Sequence, residues 1–306
     1  MAPDAPPEGE MPCDSSLVGT TLGPFEFEVD QFRTMAYAAG LGDANPRYID
    51  SLKSGRLVAH PFFPATFAVA APMAEMDRLM DATGLTREES IRRVHATHDM
   101  RIYRLVRPPE KLFVRTTLLG VERRSPGAYV VTRYETVDAE GAPVATIDWG
   151  RIFRGVAVKG ADRPGPAEPA PTRRAPADAL RAECKLPIAA TAAIVYTACA
   201  RPGNPVNFHT DTAAARRSGL SAPILMGVAT LAMSVSRVID AEAGGDPERV
   251  ARIRGRFGAM VFMPSEATVK IAAREKIADG EEAVFFETLT AEGGRAVREG
   301  FVTLRA

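Results

Sequence analysis

The chain has 306 residues, 46% of them hydrophobic, and its 38 basic and 38 acidic side chains cancel. That length suits two domains of ordinary size, each able to bury a core, and the charge balance gives no general attraction to nucleic acid or to a membrane surface. Three cysteines, Cys13, Cys184 and Cys199, have neither paired nor metal-type spacing, which predicts a reducing, cytoplasmic setting. No apolar run approaches the ~20 residues of a membrane helix, and the start of the chain lacks the basic and apolar layout of a signal peptide.

Residues 1–14 hold Pro3, Pro6, Pro7 and Pro12 among acidic and small residues, the composition of a disordered tail. A first domain is expected over 15–159 and a second over 181–306, joined by a linker at 160–180. The linker is marked by Pro164, Pro166, Pro169, Pro171 and Pro176, which favour an extended, semi-rigid chain. Within the first domain, Phe25–Val29 reads as a strand and Gln31–Gly40 as a helix. An apolar helix around Thr66 follows, which Pro72 is expected to kink or shorten. Four strand-like segments come next, roughly 92–105, 111–123, 127–138 and 143–156, rich in Val, Ile, Phe and Thr and separated by turn signals such as Ser125-Pro-Gly127 and Glu140-Gly141. His95 and His98 fall in the first of these. A separation of three in a strand predicts opposite faces and hence no shared metal site.

The second domain repeats this order. Leu186–Ile188 reads as a strand and Ala190–Ala200 as a helix. Val228, Leu231, Ala232, Val235, Val238 and Ile239 then recur at helical spacing before Gly244-Gly245. Four more strand-like segments follow, roughly 250–262, 266–277, 282–291 and 295–305. At a fixed offset, Gly42, Asp43, Tyr48 and Asp50 pair with Gly203, Asn204, His209 and Asp211, so the two domains are an internal repeat.

The segment Gly203-Asn-Pro-Val-Asn-Phe-His209-Thr-Asp211 concentrates turn formers, and Gly203 and Pro205 argue against continuous helix through it. It is followed by Ile224-Leu-Met-Gly227 and Thr230, a small-residue start to the apolar helix. Imidazole is the usual proton carrier at neutral pH, and a helix N-terminus offers free backbone N–H groups to a developing oxyanion. These are the parts of an acid/base site acting on a carbonyl compound.

The stretch resembles the signature of the MaoC-like (R)-specific enoyl-CoA hydratases and 3-hydroxyacyl-thioester dehydratases. Gly203, Phe208, His209 and Asp211 fall in register, and Ile224–Gly227 with Thr230 match the helix start. The resemblance implies an α+β fold, a tandem (double) hotdog in which each half is a long central helix wrapped by a five-stranded antiparallel sheet. It also implies reversible hydration of a 2-enoyl thioester, linked to CoA or acyl carrier protein. In the family an Asp and a His share one water and a helix-start N–H holds the thioester oxygen. Carried over, His209 is the general base and acid, Gly227 the oxyanion donor, and Asn204 stands where the family has Asp. Phe208, Tyr196, Met226 and Arg201 are the expected substrate contacts, with Arg201 reaching for CoA phosphates. The first half, carrying Val58-Ala-His-Pro61 and Tyr48 where His is needed, looks like the degenerate partner domain that walls the acyl chain. No cofactor, metal, nucleic acid or membrane partner is expected, and a homodimer is.

Other readings stand beside these. An amide cannot carry a proton at neutral pH, so Asn204 either orients the water or is only a turn residue before Pro205. Gly227 serves oxyanion binding or close helix–sheet packing, and the sequence does not separate them. Asp50 and Asp211 read as helix N-caps, His60 as a structural contact, and Cys199 as small core filler. A catalytically silent acyl-CoA-binding subunit is the alternative favoured by Asn204 and Tyr48. A hotdog thioesterase would want a carboxylate, and the helix Val228–Ile239 has none before Asp240.

Overall fold

The computed structural model describes residues 13–81, 85, 89, 93–166, 169–176, 178–200, 206–277 and 280–306. Ten strands form one sheet: β1 Thr21–Val29, β2 Arg93–Ile102, β3 Glu110–Arg124, β4 Gly127–Asp138, β5 Pro143–Arg154, β6 Ala182–Ile188, β7 Val250–Phe257, β8 Ser265–Lys276, β9 Glu282–Leu289 and β10 Arg295–Leu304. Their order is β1-β3-β4-β5-β2-β7-β10-β9-β8-β6. Each half therefore places its strands identically, and the halves join where β2 pairs antiparallel with β7. This is the tandem arrangement that the internal repeat implied.

The helices sit on one side of this sheet. In the second half α8, Gly227–Glu242, is buried along most of its length, with Val228, Leu231, Val235, Val238 and Ile239 in the core. Gly255 of β7 lets it come close, since a Cβ there would lie 3.3 Å from Leu231 Cδ1. In the first half the corresponding helix is divided into α4, Ala65–Ala68, and α5, Ala71–Asp81, with Pro72 at the second position of α5. A proline there needs no N–H bond and interrupts what precedes it, so the long central helix expected of this half is two short ones.

The equivalent helices α1, Gln31–Gly40, and α6, Ala192–Ala200, pack on one another. Gly40 makes the approach possible, because a Cβ would stand 3.0 Å from that of Cys199. Short helices α2, Pro46–Ile49, α3, Ser51–Ser54, and α7, Thr212–Arg217, follow the repeated motif. Asp211 Oδ1 accepts from Ala214 N at 2.6 Å and Asp50 Oδ1 from Leu52 N at 3.1 Å, which are the caps their positions suggested.

Ion pairs reinforce the seam between the halves. Arg252 of β7, itself buried, donates to both oxygens of Asp99 on β2 at 2.8 and 2.7 Å. Arg47 and Arg107 of the first half converge on Glu248 of the second. One further expectation changes. Cys13 and Asp14 are not part of a loose tail: they pair in parallel with Val158 and Lys159, and Cys13 is fully buried. The linker lies on the sheet surface, where Arg252 holds the Pro169 carbonyl at 2.8 Å and Glu275 accepts from the amides of Arg174 and Ala175.

Candidate active site

The motif region is anchored before it does any chemistry. Asn207 Oδ1 accepts from the His209 amide at 2.8 Å, and its carbonyl accepts from the amides of Thr210 and Asp211 at 3.0 and 2.9 Å. Asn207 thus closes a tight turn, the ordinary use of this residue, and presents the half-buried His209 side chain. The imidazole Nδ1 lies 2.8 Å from the carbonyl oxygen of Ile224. A carbonyl only accepts, so Nδ1 carries the proton and Nε2 holds the lone pair in the neutral ring. That single bond fixes the tautomer a general base requires.

Ile224 also ties the imidazole to the helix start. Ile224 and Leu225 form a short antiparallel pair with Phe262 and Val261, and three residues on from Ile224 the chain enters α8 at Gly227. Met226 at the N-cap contributes no side-chain acceptor, so among the described residues the first-turn N–H groups of α8 have no side-chain cap, as an oxyanion site requires. Gly227 is also needed for packing. A Cβ on it would be 2.8 Å from Cδ1 of Phe257, so both roles left open for this glycine have a physical basis.

The expected substrate contacts divide. Phe208 lies beside His209, its ring tilted 42° to the imidazole with centroids 4.1 Å apart. Met226 and Tyr196 are buried, Tyr196 against Tyr37 at 5.9 Å between centroids. Asn204 and Arg201 lie outside the described residues.

The first half places its equivalent residues differently. Tyr48 is fully buried, and burial raises its hydroxyl well above the ordinary tyrosine range; such a phenol is no base at neutral pH. Asp43 accepts from the Asn45 amide at 3.0 Å and faces His60 Nε2 at 3.9 Å. His60 joins the two halves: its Nδ1 accepts from Phe62 N at 3.0 Å, so Nε2–H donates to Ser236 Oγ of α8 at 3.1 Å. Burial pushes this imidazole down to about 4, against the opposing pull of Asp43. It is the structural contact that its place beside Pro61 suggested.

His95 and His98 do not lie on opposite faces. The register of β2 against β5 shifts between His95 and Thr97, and such a bulge adds one residue and reverses the parity of the side chains. Both rings therefore turn to the same side, 5.5 Å apart, around Trp149. Counting residues could not find this, because the bulge is set by the pairing of β2 with β5.

Comparison with known proteins places this architecture. Residues 172–292 match the family described as "MaoC like domain", and residues 16–147 match "FAS1-like, dehydratase domain region". A UPF0336 protein of Streptomyces coelicolor is 28% identical over 145 residues, 46% of this chain and 95% of that protein. The peroxisomal enoyl-CoA hydratase 2 of Arabidopsis thaliana is 32% identical over 102 residues, 33% of this chain and 30% of that protein. A MaoC-like dehydratase from Phytophthora capsici superposes with a TM-score of 0.80 at 19% identity, covering 94% of this chain and 96% of the other. The fold is a double hotdog. Within that fold, a region that matches the FAS1-like dehydratase model precedes one that matches the MaoC-like domain.

Proposed function

We propose that this protein catalyses the reversible hydration of a 2-enoyl thioester, (R)-specific and carried on CoA. The supporting observation is the His209 imidazole, its Nδ1 proton committed to Ile224 O at 2.8 Å, beside a helix that starts without a side-chain cap. Nε2 takes a proton from water as the hydroxyl adds to Cβ of the enoyl group. The electron pair of the double bond moves toward the thioester, whose oxygen accepts from the Gly227 N–H. The imidazolium then returns its proton to Cα, and dehydration is the reverse. One group carries out both transfers, as a syn addition allows. The similarity to an enoyl-CoA hydratase 2 favours the same class of substrate.

Incubation with crotonyl-CoA and chiral analysis of the product test this reading. The (R)-3-hydroxy product without free thiol is expected, whereas release of free CoA would make the protein a thioesterase. Asn204, an amide at the position of the family's carboxylate, favours one second reading: a subunit that binds acyl-CoA without turning it over.

A further inference from the structure

The linker bridges the outer face of the second half between two anchors. At one end Arg252 of β7 holds the Pro169 carbonyl at 2.8 Å; at the other, Glu275 of β8 accepts from the amides of Arg174 and Ala175 at 2.7 and 3.0 Å. β10 and β9 lie between β7 and β8 in the sheet, so the residues in between cross two strands as a strap pinned on both sides. Beneath the strap is a cavity of about 320 Å³, bounded by Ala170, Pro171 and Arg173 of the linker and by Arg254, Phe301 and Phe285 of the sheet. Its size is at the small end of ligand pockets. Arg254, Phe301 and Phe285 are successive cross-strand neighbours on β7, β10 and β9, so they share one face of the sheet. Gly255, the next residue of β7, faces α8, because a Cβ on it would meet Leu231. The cavity is therefore on the opposite side of the sheet from the helix start beside His209.

Its floor is apolar, and the uncommitted polar group beside that floor is cationic. Phe285 and Phe301 are buried, with ring centroids 6.3 Å apart. Arg173 donates through Nη2 to the Pro176 carbonyl, while its buried Nε has no hydrogen-bond partner among the described residues. Arg254 has only a shared carboxylate: its Nε is 3.6 Å from the Asp99 oxygen that already accepts from Arg252. The two carboxylates that also line the cavity, Glu287 and Glu299, are matched by Arg295 at 3.5 Å and Arg256 at 3.0 Å. Glu299 is the one non-glycine residue with a left-handed backbone among the described residues, at φ 53°. Such strain gathers at binding sites, and it accompanies a register shift of β10 against β7. A guanidinium N–H left unpaired is costly. A carboxylate satisfies both its hydrogen bond and its charge, and an apolar body on the same ligand would cover the two phenylalanine rings.

We infer that the cavity under the linker binds a small carboxylate with an apolar body, at a site separate from the thioester site. The probe is benzoate, titrated calorimetrically into the full chain, with benzamide as its uncharged isostere. Benzoate should saturate one site and bind about tenfold or more tightly than benzamide, because hydrogen bonds between charged groups outweigh neutral ones. Arg173→Gln alters a partly exposed linker residue; it should weaken benzoate by a similar factor and leave thermal unfolding unchanged. His209→Ala should leave benzoate binding as it is. Absence of saturable binding would overturn the inference. So would equal affinity for benzamide or indifference to Arg173→Gln, either of which assigns the Nε–H to water. Loss of binding in His209→Ala would place benzoate at the reaction centre and overturn it as well. The hydration reading stands or falls independently of these outcomes.

Discussion

At the scale of single residues, histidines with opposite surroundings do opposite things. His209 is half-buried with one nitrogen committed to a carbonyl, and general-base removal typically costs 10²–10⁴ in rate. His209→Ala should lower kcat by about that factor in a hydration assay while KM changes little. Gly227→Ala should also lower kcat, because the added Cβ meets Phe257 and displaces the helix start; a variant with unchanged turnover would remove the oxyanion role. His60 and His98, by contrast, are held neutral by burial, at about 4 and about 3. Their folded pKa values lie below the unfolded value near 6.5, so the unfolded chain binds more protons as pH falls. Stability from this source is complete above about 6.5 and is lost as pH falls through that value toward 4. Thermal unfolding followed between pH 7 and 4 should show this decline, and His60→Leu should flatten it.

At the scale of elements, α8 is the part on which the site depends. Its far end is fixed by Glu242, a buried carboxylate that accepts from Arg181 at 3.0 and 3.2 Å and from Arg274 at 3.4 Å. Removing one partner of a buried pair commonly costs about 3–5 kcal/mol; Arg181 is partly exposed, so Glu242→Ala should fall toward the lower end, read by denaturant midpoint. Most of these elements were legible in the sequence. The span Gln31–Gly40, the interruption near Pro72, the caps Asp50 and Asp211 and the eight later strands all follow from periodicity and turn chemistry. What could not be read were features set by pairing partners: the bulge between His95 and Thr97, and the strand formed by Cys13 and Asp14. The candidate site was legible where the repeat made His209 and Tyr48 comparable. The tautomer of His209 was not, because the carbonyl that sets it comes fifteen residues later in the chain.

At the scale of the whole molecule, the two halves form one sheet, and the β2–β7 seam carries the Arg252–Asp99 pair, whose guanidinium is buried. Asp99→Ala removes the bidentate acceptor of Arg252 and should cost several kcal/mol, with both halves melting together. Residues 181–306 expressed alone would expose β7 as an unpaired edge, a template for association, and should be aggregated or unfolded by light scattering and circular dichroism. A well-behaved, active second half would contradict the claim that the first half is structurally required. The central claim is that His209 performs hydration with an amide in place of its usual carboxylate neighbour. The most direct measurement follows the enoyl absorbance of crotonyl-CoA and longer enoyl-CoAs with wild type, His209→Ala and Asn204→Asp. Activity in the wild type, lost in His209→Ala and preserved or raised in Asn204→Asp, is the predicted result. A wild type inactive at every chain length and still inactive as Asn204→Asp, or activity indifferent to His209, would contradict it.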